Sequence, residues 1–374
     1  MIRLSHRPDI ASPWLDQFRG QRPHFVCALG FTETGLVPGI SAAGVTPEDR
    51  KTTAIADAEF LYYGPRHRAE HALPSLQAGA SPALISRAVV AGQAIPLQLI
   101  DTGLPRPPTV PHVSLSGVPA RCLQSGEAMS IAIAQTLFES GWQLGKALAA
   151  EAAPGYLIVG ECVVGGTTTA LALLTALGIQ AHGKVNSSHP SCNHRQKRRL
   201  VEIGIQRMTQ RLGQPISALH PLTLWAGLGD PMQGTAAALA LGASQTTGVL
   251  LAGGTQMLAV YHLMEAIAQA NHLSWEPSRV AVGTTRWVTD DPSGDTLGLA
   301  KAVNAPLLTS EFSFAASRYP QLRDYEAGFV KEGVGAGGCA IASHLYQGWA
   351  QQDLLAAVES LVALSMEDHK LKHK

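Results

Sequence analysis

The turn Gly160-Glu161-Cys162-Val163-Val164-Gly165-Gly166-Thr167-Thr168-Thr169 sets one acid, paired glycines and three hydroxyls between an apolar run, Tyr156-Leu157-Ile158-Val159, and a helix-like segment. Glycines let a ligand approach the backbone. A helix N-terminus adds unpaired N–H groups and the positive end of its dipole, a setting suited to phosphate. A nucleoside-triphosphate loop would need Lys where Gly166 stands, which disfavours nucleoside triphosphate with magnesium. Taken alone, the segment equally fits an ordinary Gly turn with a Thr cap. Glu161 sharpens the functional reading, because a carboxylate beside a phosphate cradle must bond something polar, such as sugar hydroxyls.

A second segment, Lys331-Glu332-Gly333-Val334-Gly335-Ala336-Gly337-Gly338, formally satisfies G-x-G-x-x-G through Gly333, Gly335 and Gly338. A dinucleotide site would also need a preceding strand and a further βαβ arm carrying an acid, and only a short helical tail follows. Glu332 carries more information. In a dry, Gly-walled pocket a carboxyl holds its proton more tightly, toward the range of a general base, whereas a solvated turn glutamate does no chemistry. A third stretch, Asn186 to Arg199, is the most basic in the chain and joins hydroxyls to cations just before a helix, with Lys197 as the candidate phosphate contact. Its His189, Cys192 and His194 lack a fourth ligand at a usual spacing, so no metal is expected.

The elements that must position these residues alternate from about residue 95 onward. Leu97–Ile100, Tyr156–Val159, Leu222–Ala226 and Val249–Ala252 read as strands, and 126–150, 167–176 and 195–212 as helices. This rhythm predicts an α/β fold, a doubly wound and mostly parallel sheet with helices on both faces, plus a smaller sub-domain from the chain ends. Ligands then gather at the carboxyl ends of the strands. The Pro-rich stretch Leu104–Pro111 divides an N-terminal segment, 1–110, from a main domain, 111–374, unless the whole chain forms one unit.

Composition agrees with a packed, globular chain. Of 374 residues 46% are apolar and 15% charged, and 28 basic side chains balance 28 acidic ones. This excludes a disordered solvated chain and a general nucleic-acid binder. The uncharged stretches 162–181 and 231–264 could match a membrane span in length, but Thr, Gln and Gly interrupt both. Five scattered cysteines and an N-terminus without an apolar stretch behind its positive charges fit a cytoplasmic protein with free thiols.

Together these motifs resemble the nicotinate-nucleotide:dimethylbenzimidazole phosphoribosyltransferase family, in its divergent archaeal and cyanobacterial branch. Asp101-x-Gly103, Gly126-Glu127-Ala128-Met129, Gly160-Glu161, Asp230-Pro231-Met232-Gln233, Leu241–Gln245, Gly253-Gly254-Thr255-Gln256 and Lys331-Glu332-Gly333 stand in the family's order. Gly39-Ile40-Ser41-Ala42 is similar to its Gly-Val-Ser-Ala segment. The Gly-Asp-His-Gly element of the better-known bacterial enzymes is missing, which bears on the acceptor base more than on the fold. The resemblance implies transfer of phosphoribose from nicotinate mononucleotide to a benzimidazole-type base. The products are nicotinate and an α-ribazole phosphate for the cobamide lower ligand, made without cofactor or metal by a homodimer. It implies Glu332 as general base, with Glu161 near the ribose. Gly165, Gly166, Thr167 and Thr168 are candidates for the phosphate, and Gly333, Gly335, Ser41, Asp101 and Gly254 for further substrate contacts. Asp57 and Glu59 lie in the same N-terminal segment, where cap or turn roles remain open. A benzimidazole, a phenol or adenine would each supply the flat acceptor ring.

Two rivals stand beside this reading. Asp290-Asp291 is similar to the acidic pair of phosphoribosyl-diphosphate enzymes, but Thr285-Arg286-Trp287 precede it where apolar residues are wanted, so it reads as a surface loop. A non-catalytic nicotinate-nucleotide binder is the other, and it would not require a base such as Glu332.

Overall fold

A computed structural model describes residues 1–66, 69–74, 76 and 78–372, and the side chains of these up to residue 367. Eight strands form one sheet: β1 (Ile2–His6), β2 (His24–Gly30), β3 (Leu97–Gly103), β4 (Val113–Ser114), β5 (Tyr156–Cys162), β6 (Gly248–Ala252), β7 (Val280–Thr285) and β8 (Leu307–Ser310). Their order is β1-β8-β7-β6-β5-β2-β3-β4. Every pair is parallel except β1–β8 at one edge. The α/β, mostly parallel architecture expected from the sequence is present.

The inner strands are apolar on both sides because helices cover both faces. Val26 and Ala28 of β2, Leu157 and Val159 of β5, and Val249 and Leu251 of β6 enter one core. Phe25, Cys27, Tyr156, Ile158, Leu250 and Ala252, which alternate with them, enter the other. The chain winds outward from β2 through β3 to β4, and from β5 through β6 and β7 to β8. The direction therefore reverses between β2 and β5, where an open α/β sheet forms its ligand crevice. Because β2 and β3 come from before the Pro-rich stretch, the sheet draws on both sides of it.

One expected strand is a helix. Pro221–Leu228 is helical, starting with Pro at the first position and His220 Nδ1 accepting from the Leu222 N–H at 3.2 Å. Leu224, Trp225, Ala226 and Leu228 are buried, and a short apolar run fits a buried helix as well as a strand. The uncharged stretch beyond it holds the helix Pro231–Ser244, buried along its whole length, then β6 and the helix Thr255–Ala270. Among the described residues no helix is long and apolar enough to cross a membrane.

Candidate active site

A cavity of about 1260 Å³, including its open mouth, lies at the carboxyl ends of β5, β6 and β7. Its floor is the turn from β5 into the helix Gly166–Ala176. Gly165 caps that helix with φ 89°, a left-handed conformation that glycine adopts without cost. Gly165, Gly166 and Thr167 face the cavity, so the positive end of this helix points into it. Gly254, Thr255 and Gln256, which open the helix Thr255–Ala270, form the adjoining wall.

Three carboxyls share this space: Glu161, Asp57 and Glu332. Glu161 is 2% exposed, and Gln256 Nε2 donates to its Oε1 at 2.9 Å. Burial, with Asp230 and Glu332 nearby, pushes its carboxyl up to about 8, so it carries a proton at neutral pH. Asp57 projects from the helix Pro47–Tyr63, which begins in a capping box of Thr46 and Asp49 with Pro47 at its first position. Its Oδ1 accepts from Ser81 Oγ at 2.8 Å and its Oδ2 from Cys162 Sγ at 3.2 Å. Burial raises it to about 6. Pro74, Leu76, Pro82 and Val330 add apolar surface to the same cavity.

Glu332 differs in kind. Its Oε2 accepts from Thr284 Oγ1 at 2.8 Å and the Thr285 N–H at 3.0 Å, and its Oε1 from the N–H groups of Gly333 at 3.2 Å and Gly337 at 2.9 Å. These donors fill the roughly four acceptor positions of a carboxylate. Burial pushes Glu332 upward while the four donors pull it down, and it stays above the ordinary value. Its backbone is unusual too. Val330, Lys331 and Val334 have φ of 66°, 73° and 54°, a region that costs a non-glycine residue about 1–3 kcal/mol. Glycines bring the following helix, Ala336–Gln347, down onto the sheet. A Cβ on Gly337 would stand 2.3 Å from the Thr284 backbone, and one on Gly335 2.9 Å from Phe25. Close packing, with no dinucleotide involved, accounts for the glycine run.

Of the residues picked from the sequence, Glu332, Glu161, Gly165, Gly166, Thr167, Gly333, Ser41, Gly254 and Asp57 line the one cavity. Others lie off its wall. Thr168 turns into the core, its Oγ1 without a partner among the described residues. Asp101 closes its own turn, accepting from Gly103 N at 2.9 Å and Leu104 N at 2.8 Å. Gly335 packs on Gly160 and Phe25. Glu59 is buried against His71 and Thr109. Lys197 is fully buried and donates to the Asn186 carbonyl below the wall, and burial brings its ammonium down to about 7. These five positions share one cause: each residue is satisfied by local bonding or packing, and the sequence does not disclose which way it points.

His189, Cys192 and His194 contact separate groups: Gly39 O at 3.2 Å, Asp291 Oδ2 at 3.6 Å and Ser293 O at 2.6 Å respectively. The acidic pair expected as a surface loop is split. Asp290 is exposed, whereas Asp291 is buried against Lys331, Nζ to Oδ2 2.6 Å, and so is not presented to a ribose. The sequence reading missed Gln256, Ser81 and Asn186 as wall residues. Gln256 and Asn186 stood in the segments Gly253–Gln256 and Asn186–Arg199, and Ser81 in neither.

A family model described as "Phosphoribosyltransferase" matches residues 68–279. A UPF0284 protein of Cyanothece sp. (strain PCC 7425) is 56% identical over 361 residues, covering 96% of each chain. Another, of Acaryochloris marina (strain MBIC 11017), is 53% identical over 370 residues, 99% of this chain and 98% of that one. Among solved structures, a nicotinate-nucleotide-dimethylbenzimidazole phosphoribosyltransferase from Thermus thermophilus superposes with a TM-score of 0.54 at 18% identity, over 95% of both chains. A structure titled CobT, from the same organism, gives 0.54 at 19% identity over 92% of this chain and 97% of that one. At these identities the structures establish a shared fold. Matched through its middle by the family model, and identical at more than half of its aligned positions to full-length UPF0284 proteins, the chain belongs to the phosphoribosyltransferase family, in its UPF0284 group.

Proposed function

We propose that the protein moves phosphoribose from nicotinate mononucleotide to a benzimidazole-type base, giving nicotinate and an α-ribazole phosphate for the lower ligand of a cobamide. The observation that carries this reading is one cavity lined by a helix N-terminus, the buried Glu161 and Asp57. The phosphate sits at Gly165, Gly166 and Thr167, where amides and dipole favour an anion. The ribose lies at Glu161 and Gln256, which together offer donors and acceptors to its hydroxyls. Residues from the N-terminal segment 1–110, including Ser41, Asp57 and Pro82, wall the acceptor base.

The transfer needs few groups. One ring nitrogen of the acceptor attacks the anomeric carbon. The bond to nicotinate breaks with its electron pair moving onto the pyridinium nitrogen, so the leaving group departs with that ring charge neutralised. The acceptor's other nitrogen must give up a proton. The resemblance puts Glu332 forward for this step, but its acceptor positions are filled by four donors. Among the described residues Asp57 accepts from two donors, Ser81 and Cys162, and burial raises it to about 6, close to the range useful for proton transfer near neutral pH. We therefore assign the proton to Asp57, and to Glu332 the task of fixing the segment around it. Holding the two substrates in line supplies much of the remaining acceleration.

The deciding experiment is mass-resolved detection of nicotinate released from nicotinate mononucleotide. Release that depends on an added base, and persists in chelator, is expected. Absence of release with every base tested, or a requirement for phosphoribosyl diphosphate and magnesium, would overturn the reading. We place the activity in a cytoplasmic homodimer, which sedimentation and fractionation test.

A further inference from the structure

Asp291 is the most heavily used buried carboxylate outside the three in the cavity. Its Oδ2 accepts from Lys331 Nζ at 2.6 Å and Asn186 Nδ2 at 2.8 Å, and its Oδ1 from Ser293 N at 2.9 Å and Ser293 Oγ at 2.8 Å. Lys331 Nζ also donates to the His189 carbonyl at 2.9 Å, and both side chains of the ion pair are 2% exposed. The pair therefore ties together two cavity walls that are far apart in sequence, 186–189 and 329–334.

The second of these walls is the one held against its backbone preferences, with Val330, Lys331 and Val334 at positive φ. Such a conformation persists only where its surroundings over-determine it. The surroundings here are specific. Thr285 Oγ1 donates to the Lys331 carbonyl at 2.6 Å, the Val334 N–H to the Glu161 carbonyl at 2.9 Å, and Ser86 Oγ to the Val334 carbonyl at 2.7 Å. Lys331 is the residue in this segment whose side chain reaches across to the opposite wall. The segment also meets the acceptor compartment directly, with the Val330 side chain against Gly79 and Gly333 against Pro82.

We propose that the buried Lys331–Asp291 pair is a positioning device: it clamps the strained segment 329–334 to the wall 186–189 and so sets the shape of the acceptor half of the cavity. Neither residue touches the reacting atoms. Lys331 acts through the backbone it holds, and Asp291 through Lys331 and Asn186. The pair is worth keeping as an ion pair because its partners are main-chain and amide groups of both walls, which an apolar substitute could not grip.

The test uses Lys331→Met and the double variant Asp291→Asn with Lys331→Met, in the full chain. The double variant leaves no buried charge unpaired, and its Asn side chain still offers an oxygen to Ser293, so it stays folded if the single variant does not. Hydrogen exchange of the amides of 330–335 is expected to rise at least about tenfold in the double variant, with β5 unchanged. The kinetic arm rests on the transfer reading above. KM for the acceptor base should rise about tenfold or more while KM for nicotinate mononucleotide changes less than about threefold. Parental exchange at 330–335 overturns the proposal, and so does lost protection with parental acceptor KM. If the parent protein transfers nothing, the transfer reading fails, and the exchange measurement still decides whether the pair clamps the segment.

Discussion

Asp57 and Glu332 are both buried carboxyls in one cavity, and among the described residues Asp57 accepts from two donors where Glu332 accepts from four. Asp57→Asn removes the proposed proton acceptor while keeping its shape and an oxygen that can accept from Ser81. Turnover is expected to fall at least about 100-fold with donor binding retained, by the usual size of general-base effects. Near-parental turnover, read by nicotinate release, would return the role to another group. Glu161 calls for a different pair of variants. At about 8 it is protonated at neutral pH, so Glu161→Gln preserves a neutral hydrogen-bonding group and should hold donor affinity near the parental value. Glu161→Ala should weaken it about tenfold, the worth of one lost bond. Titration calorimetry with nicotinate mononucleotide separates the two, and equal losses would remove Glu161 from the ribose.

At the level of elements, the helix Gly166–Ala176 can present its N-terminus to a ligand only because Gly166 has no side chain. A Cβ there would stand 1.8 Å from Gln256 Oε1, the same amide that donates to Glu161. Gly166→Ala should therefore leave the fold intact, since a flexible side-chain end can move, yet break the Gln256–Glu161 bond. KM for the donor is expected to rise by about tenfold. In a cycle with Gln256→Ala the two effects should not add, because both remove the same contact. Additive losses would mean that Gly166 acts on the ligand independently of Gln256.

For the whole molecule, three buried acids lower stability as pH rises, while Lys197, brought down to about 7 by burial, acts in the opposite sense above that value. Glu161 rises from 4.5 to about 8, and Asp57 and Asp230 from 3.8 to about 6. The folded chain binds these protons more tightly than the unfolded one. Their stabilising contribution is thus complete below the unfolded values and is lost as pH rises through about 6 to 8. The ligand-free protein should melt at a lower temperature at about pH 8.5 than at about pH 5.5, and Glu161→Gln should flatten the upper part of that fall. A flat profile in scanning calorimetry would show that these groups titrate normally.

Much of this was legible in the chain itself. Runs such as Tyr156–Val159 and Val249–Ala252, each ending in glycine, announce buried parallel strands, and the paired Gly165-Gly166 before three threonines announces a helix N-terminus open to an anion. Local propensity and spacing settle such features because they depend on neighbours in sequence. Strand β2 carries an equally apolar run, Phe25–Leu29, but only pairing with β5 and β3 makes it an inner strand of the sheet. Leu222–Ala226 went the other way: Pro221 at the first helical position and the His220 cap start a helix there, and packing buries it. The site followed the same division. The sequence determined which acids and glycines were available, and the tertiary structure decided their tasks. The number of donors reaching Glu332, the bonds of Asp57 with Ser81 and Cys162 and the burial of Asp291 against Lys331 all depend on groups brought together from distant parts of the chain, and that juxtaposition exists only after folding.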